Sequence, residues 1–223
     1  MKRVLLLLCF VMAGWMASAQ TFSARGSSHL RCLGLNVSGT MLRDYTLSGR
    51  MLDVPLHVVD CNDRTLSPML GLEYSTIRGG SGWQRGLMFN GGFGTQDFSG
   101  TLSDGTTLYP VQHSFPRLSL GMGFGFGYGF FDAIYLLASI HVGVDVLFDQ
   151  QREVEGLLDN YQLALSAQYL VTEHVFLKVA ASTGQFRVLI SGDQLRLSDS
   201  PYATANIGHT SRVQFTVGGG LYF

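Results

Sequence analysis

His141 and Asp145 are the side chains of this chain best suited to acid–base chemistry, and Glu73 and Lys178 are those best suited to an ion pair. A histidine beside a carboxylate can carry a proton to and from a bound group. The spacing works against that here. His141 and Asp145 fall four apart in the run 134–148, which alternates large apolar residues with small or polar ones. On a strand they share a face but sit about 13 Å apart, at ~3.3 Å per residue. Only a group from another strand can complete such a pair. No hydroxyl nucleophile follows two residues on, where Gly143 stands. Glu73 lies between Leu72 and Tyr74, and Lys178 between Leu177 and Val179. Each is the polar member of an apolar alternation, and an isolated charge on an enclosed face is costly. All four residues are therefore expected in a satisfied internal polar network. Within it Glu73 and Lys178 either meet each other or find nearer partners in Gln162, Gln168 or water. His113, His174 and His209 fall in connecting segments without metal-ligand spacing, so no metal or other cofactor is expected.

The elements that would hold these residues are strands. Leu118, Leu120, Met122, Phe124, Phe126, Tyr128 and Phe130 alternate with Ser119, Gly121, Gly123, Gly125, Gly127 and Gly129. Period two with one large and one small face is a strand pattern that no helix makes. The run is long enough to cross a tilted bilayer, which takes about 9–11 residues. An uncharged lean face suits a lumen and a bulky apolar face suits lipid. Similar weaves start near Leu30–Val37 and recur around Leu70–Tyr74, Leu87–Phe93, Ile134–Phe148, Tyr161–Tyr169, Leu177–Gly184 and Val213–Phe223. The connections Arg78–Gly82, Phe131-Asp132 and Val171–His174 are short, while 39–66, 95–116, 149–160 and 188–211 are long and polar. Alternating short turns and long loops predict an antiparallel up-and-down transmembrane barrel of eight strands. Leu52, Val54, Leu56 and Val58 also alternate, which would allow ten, but Pro55 demotes that segment. Tyr128, Phe130, Tyr169, Phe176 and Phe223 at the short-turn ends, with Phe148 and Tyr161 at the loop ends, suit two interfacial aromatic belts. Eight strands leave an interior that side chains fill, so a wide pore is not expected. The glycine face should make room for neighbours such as Tyr135, Leu137 and Met88, and Gly123 should accept serine more cheaply than Phe124 accepts arginine.

Composition agrees with a lipid-facing chain. Only 14% of residues are charged, against roughly a quarter in soluble domains. Lys2 and Lys178 are the only lysines. A net charge of −1 speaks against a nucleic-acid partner. Met1-Lys2-Arg3, the apolar run Val4–Met12 and Ala17-Ser18-Ala19 make a signal peptide over residues 1–19. A short segment 20–28 then leads into a barrel over 29–223. Cys32 and Cys61 remain after such processing, and an oxidising compartment would permit them to pair.

The final strand reads Thr216-x-Gly218-x-x-Leu221-x-Phe223, ending on an aromatic. In this the chain resembles bacterial outer-membrane β-barrel proteins, and in overall form the small "outer membrane protein beta-barrel domain" proteins of the Bacteroidota. The resemblance implies outer-membrane localisation in a Gram-negative envelope, outer-membrane lipid as surroundings, and Thr216, Gly218, Leu221 and Phe223 read by the barrel-assembly machinery. It implies no activity. Lipid A deacylases of similar size carry a His-x-Ser pair that His141-Val142-Gly143 lacks, and omptin-like proteases need paired acidic and histidine groups near the outer rim. The soluble alternative, a lipocalin, requires a Gly-x-Trp that Ser81-Gly82-Trp83 does not provide. The expected role is therefore a non-enzymatic barrel with a structural or interaction function, whose loops around Gln96–Ser114 and Gln150–Asn160 would contact a partner. The alternatives are a narrow conduit, a barrel enzyme acting on lipid or peptide, and a membrane subunit of a larger envelope or secretion complex.

Overall fold

The computed structural model describes residues 29–43, 45–51, 54–61, 65–78, 82–130, 133–148, 154–190, 194–196, 203–206 and 210–223. The expected signal peptide 1–19, the segment 20–28, the turn 131–132 and His209 lie outside the described residues. The strands are β1 (His29–Arg43), β2 (Thr46–Met51), β3 (Val54–Cys61), β4 (Ser67–Arg78), β5 (Gly82–Ser103) and β6 (Leu108–Phe130). They continue as β7 (Ile134–Phe148), β8 (Val154–Leu170), β9 (Val175–Ile190), β10 (Gln194–Arg196), β11 (Ala203–Asn206) and β12 (Thr210–Tyr222).

Eight of these close a ring of antiparallel neighbours, β1-β4-β5-β6-β7-β8-β9-β12 and back to β1. The seam joins the first and last strands, with Cys32 opposite Tyr222 and Arg43 opposite Ser211. Closure leaves the ring no unpaired edge, which a sheet in hydrocarbon requires. The outward positions carry the bulk: Leu35, Leu72, Leu87, Phe124, Ile140, Leu165, Val179 and Val217 are all exposed. An apolar surface continuous around all eight strands fits lipid and not water. The fold is a transmembrane β-barrel.

The loop end differs from the expectation. Segments 39–66, 95–116, 149–160 and 188–211 carry further strand. β5 and β6 pair without a break from Gly82↔Gly129 to Ser103↔Leu108, far past the expected ends. The alternating segment around Pro55 is a strand, β3, but it stays outside the ring, pairing with β2 and with the top of β5. β10, β11 and β2 extend the same sheet. Together these pieces build a cap on the barrel. Inside it Leu42, Tyr45, Leu47, Leu56, Phe98, Leu102, Val111, Phe115, Leu147 and Leu158 form an apolar core. The amphipathic sense thus inverts along one strand. β6 points Phe124 and Phe126 outward in the barrel, and Val111 and Phe115 inward in the cap.

Two turns need glycine for its backbone freedom, Gly82 at φ 101° and Gly105 at φ 97°. Phe176 corrects the expected aromatic belt. It faces the interior, against Tyr222 at a ring distance of 4.9 Å, while Trp83 takes an outward place stacked on Phe126 at 5.1 Å. Cys32 is buried at the short-turn end and Cys61 lies in the cap opposite Gly100, so both are free thiols.

Candidate functional site

The interior is a stack of four layers that can be followed along β7. Tyr135 and Leu137 come first, then Ser139 and His141, then Asp145, then Leu147 in the cap core. The lowest layer is an apolar plug of Cys32, Ile77, Met88, Leu137, Phe176 and Tyr222 at the short-turn end. The Tyr222 hydroxyl donates to Gln168 Oε1 at 2.8 Å, so the plug satisfies its polar tip.

Glu73 and Lys178 form the floor of the second layer. Lys178 Nζ donates to Glu73 Oε1 at 2.7 Å and to Oε2 at 2.6 Å, spanning the barrel from β9 to β4. Their side chains are 8% and 12% exposed, which makes this a buried, charge-assisted bridge. Above it lies a cavity of about 60 Å³, lined among others by Asn36, Asn90, Ser139, His141, Gln162 and Ser166. His141 Nε2 and Ser139 Oγ are hydrogen-bonded at 2.8 Å, and Gln162 bonds Ser182 at 3.0 Å.

The third layer is cationic. Arg212 Nη1 donates to Asp145 Oδ2 at 2.8 Å, and Asn160 Nδ2 to Asp145 Oδ1 at 3.5 Å. Arg117, fully buried, donates to Gln96 Oε1 at 2.8 Å, to Thr40 Oγ1 at 3.4 Å and to Met69 Sδ at 3.1 Å. Register places Asp145 opposite Ser119, two residues from Arg117 on the same face, so the carboxylate has a guanidinium on either flank. His141 and Asp145 stay in separate layers, with no hydrogen bond between them among the described residues. Arg117 and Arg212 escape the sequence reading, which starts their strands one residue later, at Leu118 and Val213. The parity was available: Arg117 alternates with Leu118 as Ser119 does, and Arg212 shares a face with Gln214.

The glycine column is close contact space. A Cβ on Gly121 would meet Asn90 Oδ1 at 2.6 Å, on Gly123 the His141 ring at 2.5 Å, and on Gly125 Met88 Cε at 2.8 Å. Met88 is thus one of the expected fillers, but His141 and Asn90 take places the sequence did not assign. His113, read from sequence as a loop residue, is buried in the cap against Phe115 at 4.2 Å.

Among the described residues, side chains bridge to β5 between its pairing with β4, which ends at Gly94, and its pairing with β3, which begins at Gly100. The Tyr45 hydroxyl donates to Ser99 O at 2.6 Å and accepts from Ser99 N at 3.1 Å, while Asp97 N donates to Ser67 Oγ at 2.9 Å. The plug core and the cap core stand towards the two ends of the interior.

No family model and no curated protein matches the chain. Among solved structures, Ail, the attachment invasion locus protein of Yersinia pestis, in complex with the heparin analogue sucrose octasulfate, aligns at 10% identity and TM-score 0.44. The alignment covers 87% of this chain and 99% of that one. The outer membrane protein OprG from Pseudomonas aeruginosa aligns at 12% identity and TM-score 0.49, covering 87% and 96%. The outer-membrane expressed OmpT of Vibrio cholerae aligns at 9% identity and TM-score 0.27, covering 91% and 99%. No residue role transfers from them.

On the outside, the hairpin tip is organised by Asp104. Its carboxylate accepts from the backbone N–H groups of Thr107 and Thr106, the Thr106 hydroxyl and the Tyr109 hydroxyl, all within 2.9 Å. These donors hold it well below the usual carboxylate range. The same bond raises the Tyr109 phenol. Val54, Val59 and Leu108 are exposed on this cap. Phe223 closes the far end of the chain on the lipid face, its backbone N–H donating to Arg31 O at 3.0 Å.

Proposed function

We propose that the chain is a closed, non-enzymatic outer-membrane barrel that presents its cap as a rigid platform for an envelope or extracellular partner. One observation carries the reading: an apolar plug, a buried ion pair, a cationic layer and the cap core follow one another through the interior. A conduit would need all four to move. Catalysis would need a nucleophile and base within hydrogen-bond reach of an accessible substrate, whereas His141 lines a small cavity inside the barrel. The cap spends strand and apolar core on holding a shape outside lipid, which is what binding by rigidly mounted loops requires. Exposed Leu108, Val54 and Val59 supply apolar anchors on it.

The test is photo-crosslinking in intact cells, with the reactive residue placed at Leu108 or Gln112 on the cap and at Leu72 on the lipid face as control. Discrete protein adducts from the cap positions alone are expected. Adducts from neither, together with steady ion conductance of the purified barrel in planar bilayers, would replace the platform with a conduit. Stoichiometric recovery with one envelope assembly would make the chain a subunit of it.

A further inference from the structure

The lipid-facing surface is not uniform around the ring at the short-turn end. On β1, β4 and β5 it carries Arg31, Thr76 and Arg85. Arg31 stands opposite Thr76 and Thr76 opposite Leu87, with Arg85 two residues nearer the turn on the face of Leu87. Arg85 is exposed and Arg31 partly so. β4 ends between their strands at Arg78. The other five strands present Tyr128, Leu136, Tyr169, Leu177 and Leu221 at this end, all exposed and none charged.

Neither Arg31 nor Arg85 makes an ion pair or a side-chain hydrogen bond among the described residues. The acids nearby do not balance them. Glu73 is held inside by Lys178, and Glu173 lies in the turn between β8 and β9. Phe223, with its carboxylate, pairs with Arg31 on the side away from Arg85. Around Arg85 stand Trp83 and Leu87 on its own strand and Phe126 opposite. A guanidinium among such neighbours must reach water or an anion. Two strand spacings across and two residues along put the Cα atoms of Arg31 and Arg85 about 12 Å apart. Two arginine side chains span that by converging on one phosphate, which guanidinium groups bind bidentately. The Thr76 hydroxyl lies between them. Trp83, stacked on Phe126 and edge-on to Tyr128 at 5.5 Å, walls the place on one side as interfacial rings do.

We propose that Arg31, Thr76 and Arg85 form a headgroup site for one anionic phospholipid in the leaflet at the short-turn end. Its phosphate lies between the two guanidinium groups and its chains lie against Leu33 and Leu87. The position on the lipid face makes the occupant a lipid. The unbalanced positive charge selects a net anionic headgroup, since the ammonium of a zwitterionic one meets only cations between these arginines. The site rests on the transmembrane fold and not on what the cap binds.

Trp15 and Trp83 are the only tryptophans, so Trp15→Phe leaves Trp83 beside the site as reporter. The full chain with that change is folded into vesicles of equal parts phosphatidylglycerol and phosphatidylcholine, with bromine on the acyl chains of one lipid or the other. Brominated phosphatidylglycerol is expected to quench Trp83 at least about twice as strongly as brominated phosphatidylcholine. The preference should disappear in Arg31→Gln/Arg85→Gln. It should persist in Arg43→Gln/Arg50→Gln, which removes the same charge from exposed positions at the loop end. Equal quenching by the two lipids in the parent protein would overturn the proposal. So would a preference unchanged in Arg31→Gln/Arg85→Gln, or one lost in Arg43→Gln/Arg50→Gln. Should the Arg31→Gln/Arg85→Gln protein not fold, Arg85→Gln alone makes the comparison, with a reduced preference expected and an unchanged one refuting the site.

Discussion

The Glu73–Lys178 bridge offers a quantitative test of how the barrel holds charge. At contact distance two unit charges attract by about 5 kcal/mol for an effective dielectric constant near 20. Desolvation of both groups offsets most of that gain, so the bridge as a whole contributes little net stability. Breaking it is different. Glu73→Gln leaves the Lys178 ammonium without its carboxylate, and Lys178→Met leaves the carboxylate alone. Removing one partner of a buried pair costs about 3–5 kcal/mol. The adjoining polar cavity can hydrate the survivor, which brings the expectation to about 2–3 kcal/mol for each single substitution. The double variant leaves no charge unpaired at this level and should lose only about 1 kcal/mol. The implied coupling is about 3 kcal/mol or more. Urea unfolding of all four forms in lipid vesicles measures it, with heat-dependent gel mobility as one probe. Fluorescence of Trp83, on the lipid face at 68% exposure, is the other. Additivity within about 0.5 kcal/mol would mean that the two charges do not act on each other in the folded barrel.

Other expectations follow from the same geometry. Phe124→Arg, on the lipid face, should cost about 2–4 kcal/mol near mid-bilayer, read from vesicle unfolding. Gly123→Ser should cost about 1–3 kcal/mol through overpacking against the His141 ring, while Gly91→Ala, whose Cβ meets nothing nearer than 3.4 Å, should be close to neutral. Deleting Phe223 should remove at most about 1.5–3 kcal/mol of apolar burial from the finished barrel and slow its assembly in cells far more, measured by pulse labelling. At the hairpin tip the folded Asp104 is depressed, so its ordering should be complete above the ordinary carboxylate range and fade as pH falls through the lowered value. Amide signals of Thr106 and Thr107 would report the loss, and Asp104→Asn should show it at neutral pH.

The barrel itself was legible because lipid simplifies the code. Large outward and small inward residues repeat on every strand of the ring, and Phe124 beside Gly123 states both faces at once. The cap was hidden by the solvent change. Beyond Thr95 and Pro116 the outside is water, so Phe98 and Phe115 turn inward and polar Asp97 and Ser114 outward. A pattern sought with one sign reads there as loop. The same boundary concealed Arg117 and Arg212, since each stands where the apolar alternation of its strand begins. The tight packing at Gly123 was hidden for another reason. Period two assigns a face, but only register shows that His141 lies opposite Gly123.

The apolar core of the cap has a consequence for biogenesis. In the proposed outer-membrane orientation Phe98, Leu102 and Phe115 cross the bilayer while their strands insert, and they meet Leu42, Leu56 and Leu158 only on the far side. In the proposed orientation the last collapse therefore happens beyond the membrane, in water, by apolar burial. Once made, that knot joins further strands to the hairpin and is held by contacts that do not exist inside the membrane. Extracting the protein would first require untying it. The cap thus acts as a rivet head, formed after the shank is through the plate, and it makes insertion a one-way step.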